Sequence, residues 1–151
     1  MEISNGGIDS LDQLEEPIKL HYEFVLKQPQ DASIIYLNPM IRAGWRKNPF
    51  EAAERKYPVE LPYAMDETYV FLMDIPSGYV VDEIPKSARL ALNGDQGQFE
   101  YLVAQQQGQI QMRCRLRLNK AWFPAADYTS LRDFFGMVVK KEAETIVLKK
   151  K

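Results

Sequence analysis

Cysteine and histidine are almost absent from this chain, which carries one of each among 151 residues, Cys114 and His21. A lone cysteine excludes an intrachain disulfide. That fits a reducing compartment, yet a chain of this length buries roughly 68–70% of its unfolded surface and needs no staple in an oxidising one either. One imidazole and one thiol cannot supply the ligands of a zinc-type site. No stretch approaches the run of about 20 apolar residues that a membrane helix requires. The lead Glu2-Ile3-Ser4-Asn5-Gly6-Gly7-Ile8-Asp9-Ser10 carries no secretory pattern, and reads as a natural beginning or as the start of an excised piece. An excess of one charge is also missing. With 19 basic and 21 acidic residues the net charge is −2, so no broad cationic field argues for nucleic acid. The sequence has no phosphate loop and no G-x-S-x-G elbow. Asp82, Glu83 and Asp127 are available carboxylates, but no loop has calcium-hand spacing. Neither a cofactor nor a metal is expected.

What is present is ordinary globular material, 46% apolar and 26% charged, in a length that suits one domain. Residues 1–17 read as a flexible lead ending at Pro17. Residues 18–27 alternate, with Ile18, Leu20, Tyr22, Phe24 and Leu26 on one face and Lys19, His21, Glu23 and Lys27 on the other, the pattern of a half-buried strand. Gln28-Pro29-Gln30-Asp31 is a turn, and residues 33–37 are a short strand stopped by Asn38-Pro39. Residues 38–65 carry Pro39, Pro49, Pro58 and Pro62, which deny long helices and central strands. Within them Asn48 is placed to cap a short helix, with Pro49 at its first position and residues 50–56 as its body.

Beyond Asp66 the alternation sharpens. Strands are predicted over 67–75, 79–84, 88–92, 98–105, 110–119 and 144–149. Turns at Pro76-Ser77-Gly78, Asn93-Gly94 (a two-residue hairpin signal) and Gln107-Gly108 punctuate them. The clearest strand, 110–119, puts Ile110, Met112, Cys114, Leu116 and Leu118 on one side and Gln111, Arg113, Arg115, Arg117 and Asn119 on the other. One element departs from the β habit. Behind Asp127 as N-cap, Leu131, Phe134, Phe135, Val138 and Val139 recur with helical spacing, giving an amphipathic helix that covers an end or an edge. The prediction is an all-β chain: an antiparallel sandwich of immunoglobulin-like architecture over residues 18–151, with one amphipathic helix near the C-terminus.

Catalysis by an activated thiol needs a base beside it. Cys114 lies in phase with the core residues of its strand and His21 in the polar phase of its own, so the pair is not expected to meet. No pair of carboxylates stands out as a glycosidase set. The candidates for a binding surface are therefore Trp45 and Trp122, which are read as loop tryptophans able to stack on a sugar or anchor a partner, and the stripe Arg113, Arg115 and Arg117. The plain alternatives are that the tryptophans plug an open end of the sandwich. The arginines would then face solvent or pair with acids on a neighbouring strand, such as Glu100.

Two stretches are more specific. The first holds Asn48-Pro49-Phe50, Arg55, Pro58-Val59 and Glu67-Thr68-Tyr69. The second holds Pro76-Ser77-Gly78-Tyr79, Glu83-Ile84-Pro85-Lys86, Phe99-Glu100-Tyr101, Tyr128 and Leu131-Arg132-Asp133-Phe134-Phe135. Together, over residues 18–149, they resemble the uncharacterised C-terminal β domain that follows the papain-like core in bacterial transglutaminase-like proteins. The resemblance implies a piece of a larger periplasmic or cell-envelope protein whose Cys-His-Asp core lies in another domain. It assigns no functional residue here. On that reading the chain is a non-catalytic accessory domain, not an enzyme, whose partners are neighbouring domains of the same parent chain. The rival is a carbohydrate- or peptidoglycan-binding module taking a glycan or peptide. Neither nucleic acid nor membrane insertion is expected.

Overall fold

The computed structural model describes residues 2–26 and 32–151, which fall into two compact units, one up to Ala32 and one from Ser33. The predicted turn at residues 28–31 lies outside the described residues.

The first unit is a hairpin of β1 (Glu2–Asp9) and β2 (Lys19–Val25). The lead expected to be flexible thus supplies a strand. Ile3 faces Phe24 and Ile8 faces Leu20, and the register shifts between Ser4 and Gly7. Asn5 takes a positive φ of 50° in that irregularity, and its amide donates to the Glu23 carboxylate at 2.7 Å. The period-two pattern of β2 was a correct sign of a strand, but the expected half-burial is not found: Ile18, Leu20 and Tyr22 are exposed. Two strands alone cannot enclose an apolar face; a third strand or a packed helix is needed.

The second unit is mostly antiparallel sheet with one helix, a sandwich-like all-β fold. Its strands are β3 (Ile34–Leu37), β4 (Val59–Glu60), β5 (Met65–Asp74), β6 (Tyr79–Glu83), β7 (Ala88–Leu92), β8 (Gly97–Gln106), β9 (Gln109–Leu118), β10 (Trp122–Phe123) and β11 (Ile146–Lys150). They form a four-stranded sheet in the order β5-β9-β8-β7, a three-stranded sheet β3-β11-β6 and the short ladder β10-β4. In β9 every second residue from Ile110 to Leu118 is buried, so Cys114 lies on the core side as its phase demands. Phe99 and Tyr101 of β8 and Phe71 of β5 extend the same apolar face across the sheet.

Turn chemistry sets the registers. Gln106 pairs with Gln109, so β8 and β9 are joined by two residues, Gln107 and Gly108, at φ of 50° and 79°. Both must be left-handed for the strand twist to match, and glycine takes the second place without steric cost. Asn93-Gly94 also takes positive φ, but Leu92 pairs with Gly97, so that hairpin has a four-residue loop in place of the expected two.

Helix α1 (Tyr128–Glu142) follows a 3-10 turn over Ala125–Asp127. Asp127 holds the N-cap position, yet its carboxylate makes no cap bond and pairs with Lys120 at 3.3 Å. Leu131, Phe134, Phe135 and Val138 are buried, as the stripe predicts. The helix packs near β7, and its last turn reaches over the core side of β8 and β9, where Lys141 Nζ lies 5.4 Å from the Tyr101 ring centre.

The helix expected over residues 50–56 does not form. Asn48 does turn the chain, its Oδ1 accepting from Phe50 N–H at 2.9 Å. The carbonyls that would continue a helix are engaged elsewhere: Ala52 accepts from the Tyr128 hydroxyl and Ala53 from Arg132, at 2.9 and 2.8 Å. Phe50 is drawn into edge-on contact with Tyr128 and Phe135. Tertiary packing overrides a weak local signal here.

Phe134→Ala should lower unfolding free energy by about 3–5 kcal/mol, because it removes a buried ring from the seam between helix and core. Urea denaturation followed by tryptophan fluorescence measures it, and an unchanged midpoint would mean that α1 does not dock.

Candidate functional site

The predicted surface residues fare differently from one another. Arg113, Arg115 and Arg117 do line the outer side of β9, but acids meet them there. Asp66 of β5 accepts two bonds from Arg115, at 2.8 and 2.7 Å, and lies 4.0 Å from Arg117. Glu100 of β8 accepts from Arg113 at 3.1 Å and from Arg89 at 2.9 Å. The Arg115 guanidinium holds the Asp66 carboxyl below the usual range, and Asp66 in turn raises Arg115. The stripe is a paired network on a sheet face, the arrangement anticipated for Glu100, in which four arginines, Arg89 included, share two carboxylates.

The two tryptophans rest on different supports. Trp122 is on β10, opposite Glu60, with half its surface exposed at 51%. It is a strand residue, not the loop residue expected. Trp45 is in a loop but half-buried, its ring edge-on to Phe135 at 5.3 Å. Its backbone leads to the most unusual polar group of the second unit.

That group is Glu142, the last residue of α1 and the one buried charged side chain among the described residues. One carboxylate oxygen, Oε2, accepts the Trp45 backbone N–H at 2.6 Å, and the other, Oε1, accepts the Cys114 thiol at 3.6 Å. The Glu142 backbone carbonyl accepts from the Asn38 side chain at 2.9 Å. Gly44 fits the loop closely around this carboxylate: at φ of 83°, a Cβ there would stand 2.7 Å from Oε2. Only glycine satisfies both the left-handed backbone and that approach.

Beneath the carboxylate lies one row of the four-stranded sheet, with Cys114 of β9 facing Tyr69 of β5 and Tyr101 of β8. The Tyr69 hydroxyl donates to the Pro39 carbonyl at 3.1 Å, tying the same loop down a second time. The Tyr101 hydroxyl is buried without a hydrogen-bond partner.

Burial pushes the Cys114 thiol, the Tyr101 phenol and the Glu142 carboxyl all upward. Glu142 also opposes ionisation of Cys114 by its charge. A thiol becomes a nucleophile by losing its proton, and this setting keeps the proton on. His21, the other half of the expected non-pair, belongs to the first unit and contacts Asp9 at 3.2 Å. The arrangement of Glu142, Cys114 and Trp45 is thus suited to holding a loop and accepting hydrogen bonds, not to nucleophilic attack.

Sequence reasoning missed Glu142, although a signal existed. It falls seven residues after Phe135 and four after Val138, in phase with the apolar stripe. A charged residue on the buried side of a helix marks a polar contact.

Two comparisons with known proteins bear on the chain. The family described as "Domain of Unknown Function with solved-structure structure (DUF3858)" matches residues 33–148. A crystal structure described as a "putative protease" from Parabacteroides distasonis ATCC 8503 is similar at 19% identity and a TM-score of 0.59, over 77% of this chain. The chain spans 23% of the length of that protein, and the likeness is one of fold. No curated protein matches this chain.

Two predictions follow from Glu142. Glu142→Ala should cost about 2–3 kcal/mol, because it strands a buried Trp45 N–H and opens a gap. Glu142→Gln keeps shape and acceptor and should cost far less. Its pH dependence has a definite sign: the folded carboxyl sits above its unfolded value, so wild type is favoured at acid pH and loses that contribution as pH rises through the folded value. Glu142→Gln should therefore gain on wild type as pH rises above the ordinary carboxyl value of 4.5 in denaturant melts; parallel curves would refute the assignment. Arg115→Ala removes a half-exposed pair and should cost about 1 kcal/mol or less in the same melts.

Proposed function

The chain belongs to the DUF3858 family of domains of unknown function, and we propose that it is a non-catalytic accessory domain of a longer periplasmic or cell-envelope protein. Its task on this reading is to pack against, or position, a neighbouring transglutaminase-like domain with a papain-like core. The observation that carries the reading is the setting of the chain's single thiol. Cys114 is buried, its thiol donates to the Glu142 carboxylate, and burial keeps its proton on. A papain-like reaction needs a thiolate, a base and an orienting group in one place.

The similar Parabacteroides distasonis protein fits such an assignment. The region shared with this chain is under a quarter of it, so a catalytic domain has room elsewhere in the polypeptide.

A second reading, a carbohydrate- or peptidoglycan-binding module, draws on one observation, the exposed indole of Trp122. One set of assays separates the two. The purified chain and a His21→Ala variant are incubated with casein, glutamine-donor peptides and cell-wall peptides, and the chain is co-sedimented with insoluble peptidoglycan. No turnover and no co-sedimentation are expected. Turnover abolished by His21→Ala would overturn the non-catalytic reading. Co-sedimentation lost in Trp122→Ala would replace it with the binding module.

A further inference from the structure

The outer side of the four-stranded sheet carries more positive charge than it neutralises. Arg89, Arg113, Arg115 and Arg117 have two carboxylates between them, Asp66 and Glu100, so four cations against two anions leave the patch at +2. The next acid on that side, Asp74, bonds the Gln109 side chain at 3.0 Å. It stands four residues along β5 from Val70, the residue opposite Arg113. That is about 14 Å of strand, more than a Debye length at physiological salt.

The pairing within the patch is uneven. Arg115 is clamped to both oxygens of Asp66, and Glu100 is divided between Arg89 and Arg113. Arg117 comes no closer than 4.0 Å to an acid among the described residues, which is past hydrogen-bond distance. Arg89 is 71% exposed beyond its one contact. The guanidiniums with donors to spare are therefore Arg89, Arg113 and Arg117, and Arg115 is not among them.

A second property of the same face selects the kind of anion. Residues directly opposite on antiparallel strands share a face. The register therefore sets Val70 and Leu102 on either side of Arg113, and Leu72 and Ala104 on either side of Gln111. Val70 and Leu72 are 58% and 59% exposed. A polyphosphate or nucleic-acid backbone has nothing apolar to lay on them, and its dense charge would meet Asp66 and Glu100 among the arginines. A protein surface supplies both kinds of contact, carboxylates that fit the guanidinium fork and apolar side chains beside them.

We propose that this outer face is a docking surface for an acidic protein segment, one that sets two carboxylates among Arg89, Arg113 and Arg117 and apolar side chains over Val70 and Leu72. Along β9 alternate residues repeat every ~6.8 Å, and an extended segment lying over it presents its own alternate side chains at that spacing. Two acids and then two apolar residues, at every second position, match the rows of Arg117, Arg115, Arg113 and Gln111. From the accessory reading this takes only that the neighbour is a protein. The turnover and co-sedimentation assays decide that reading without these arginines, so either can fail alone.

The test titrates the ¹⁵N-labelled chain at physiological salt with the end-blocked peptide Glu-Ser-Glu-Ser-Leu-Ser-Leu. Its controls are the same peptide with glutamine for both glutamates, the same peptide with serine for both leucines, and tripolyphosphate. The readouts are the Nε–H signals of Arg89, Arg113 and Arg117 and the backbone amides of Val70 and Leu72. The first peptide should shift all of them saturably, and both altered peptides should bind more weakly. Arg89→Ala and Arg117→Ala together should weaken the first peptide roughly three- to tenfold, the size of two exposed ion pairs. No saturable shift at these signals, equal binding of either altered peptide, tighter binding of tripolyphosphate than of the first peptide, or undiminished binding by the folded double variant would each overturn the proposal. The comparison of ligands on wild type keeps the test decisive if the variant does not fold.

Discussion

Much of the second unit depends on how one carboxylate is held. Glu142 joins three parts of the chain that are far apart in sequence: the end of α1, the loop through Gly44 and Trp45, and Cys114 at the centre of the four-stranded sheet. The loop has no ladder of its own to hold it, so its backbone groups must find partners in side chains. Asn38 and Glu142 supply them at one end, and Asn48, Tyr128 and Arg132 supply them at the other. Trp45 and Phe50 then close over Phe135. A long proline-bearing connection becomes an ordered cover for the helix through a few polar contacts and two rings.

The regular part of this design was legible in the sequence because its cause is local. A strand with one face in a core must alternate, and β9 does so without a break from Ile110 to Leu118. The helical stripe was legible for the same reason, and the fold class followed from short strands with turn signals between them. The irregular part was not legible, because its causes are distant. The short helix suggested by Asn48-Pro49 loses to contacts that Phe50, Ala52 and Ala53 make some 80 residues away in the chain. The four-residue loop at Asn93 shows that positive φ at two positions does not by itself fix loop length. In β2 the alternation correctly gave the strand but not its burial, since a pattern states which face is apolar and not what covers it.

The candidate site was read less well than the fold. The residues chosen from sequence were those that stand out by type, two tryptophans and a row of arginines. Side-chain type ignores the partners that a fold brings up, and Asp66 and Glu100 arrive opposite the arginines from neighbouring strands. Glu142 was overlooked because glutamate near a lysine-rich helix end looks like ordinary surface. Its phase with Phe135 and Val138 carried the information, and phase proved a better guide than residue type here, for Cys114 as for Glu142.

Two acids show how environment divides the chain's carboxylates by role. Asp66 stands half in water with Arg115 clamped to both its oxygens, and its proton affinity falls. Glu142 is buried with only a thiol and an amide for company, and its proton affinity rises. A carboxylate of the first kind has already found its cation, and a ligand competing for it must displace a bidentate guanidinium. The second kind answers burial by holding its proton, and the carbonyl end of the helix dipole pushes the same way. Position in the fold, not residue type, thus decides which acid holds its charge: the one with a guanidinium beside it in water, and not the one walled in by a thiol and a backbone amide.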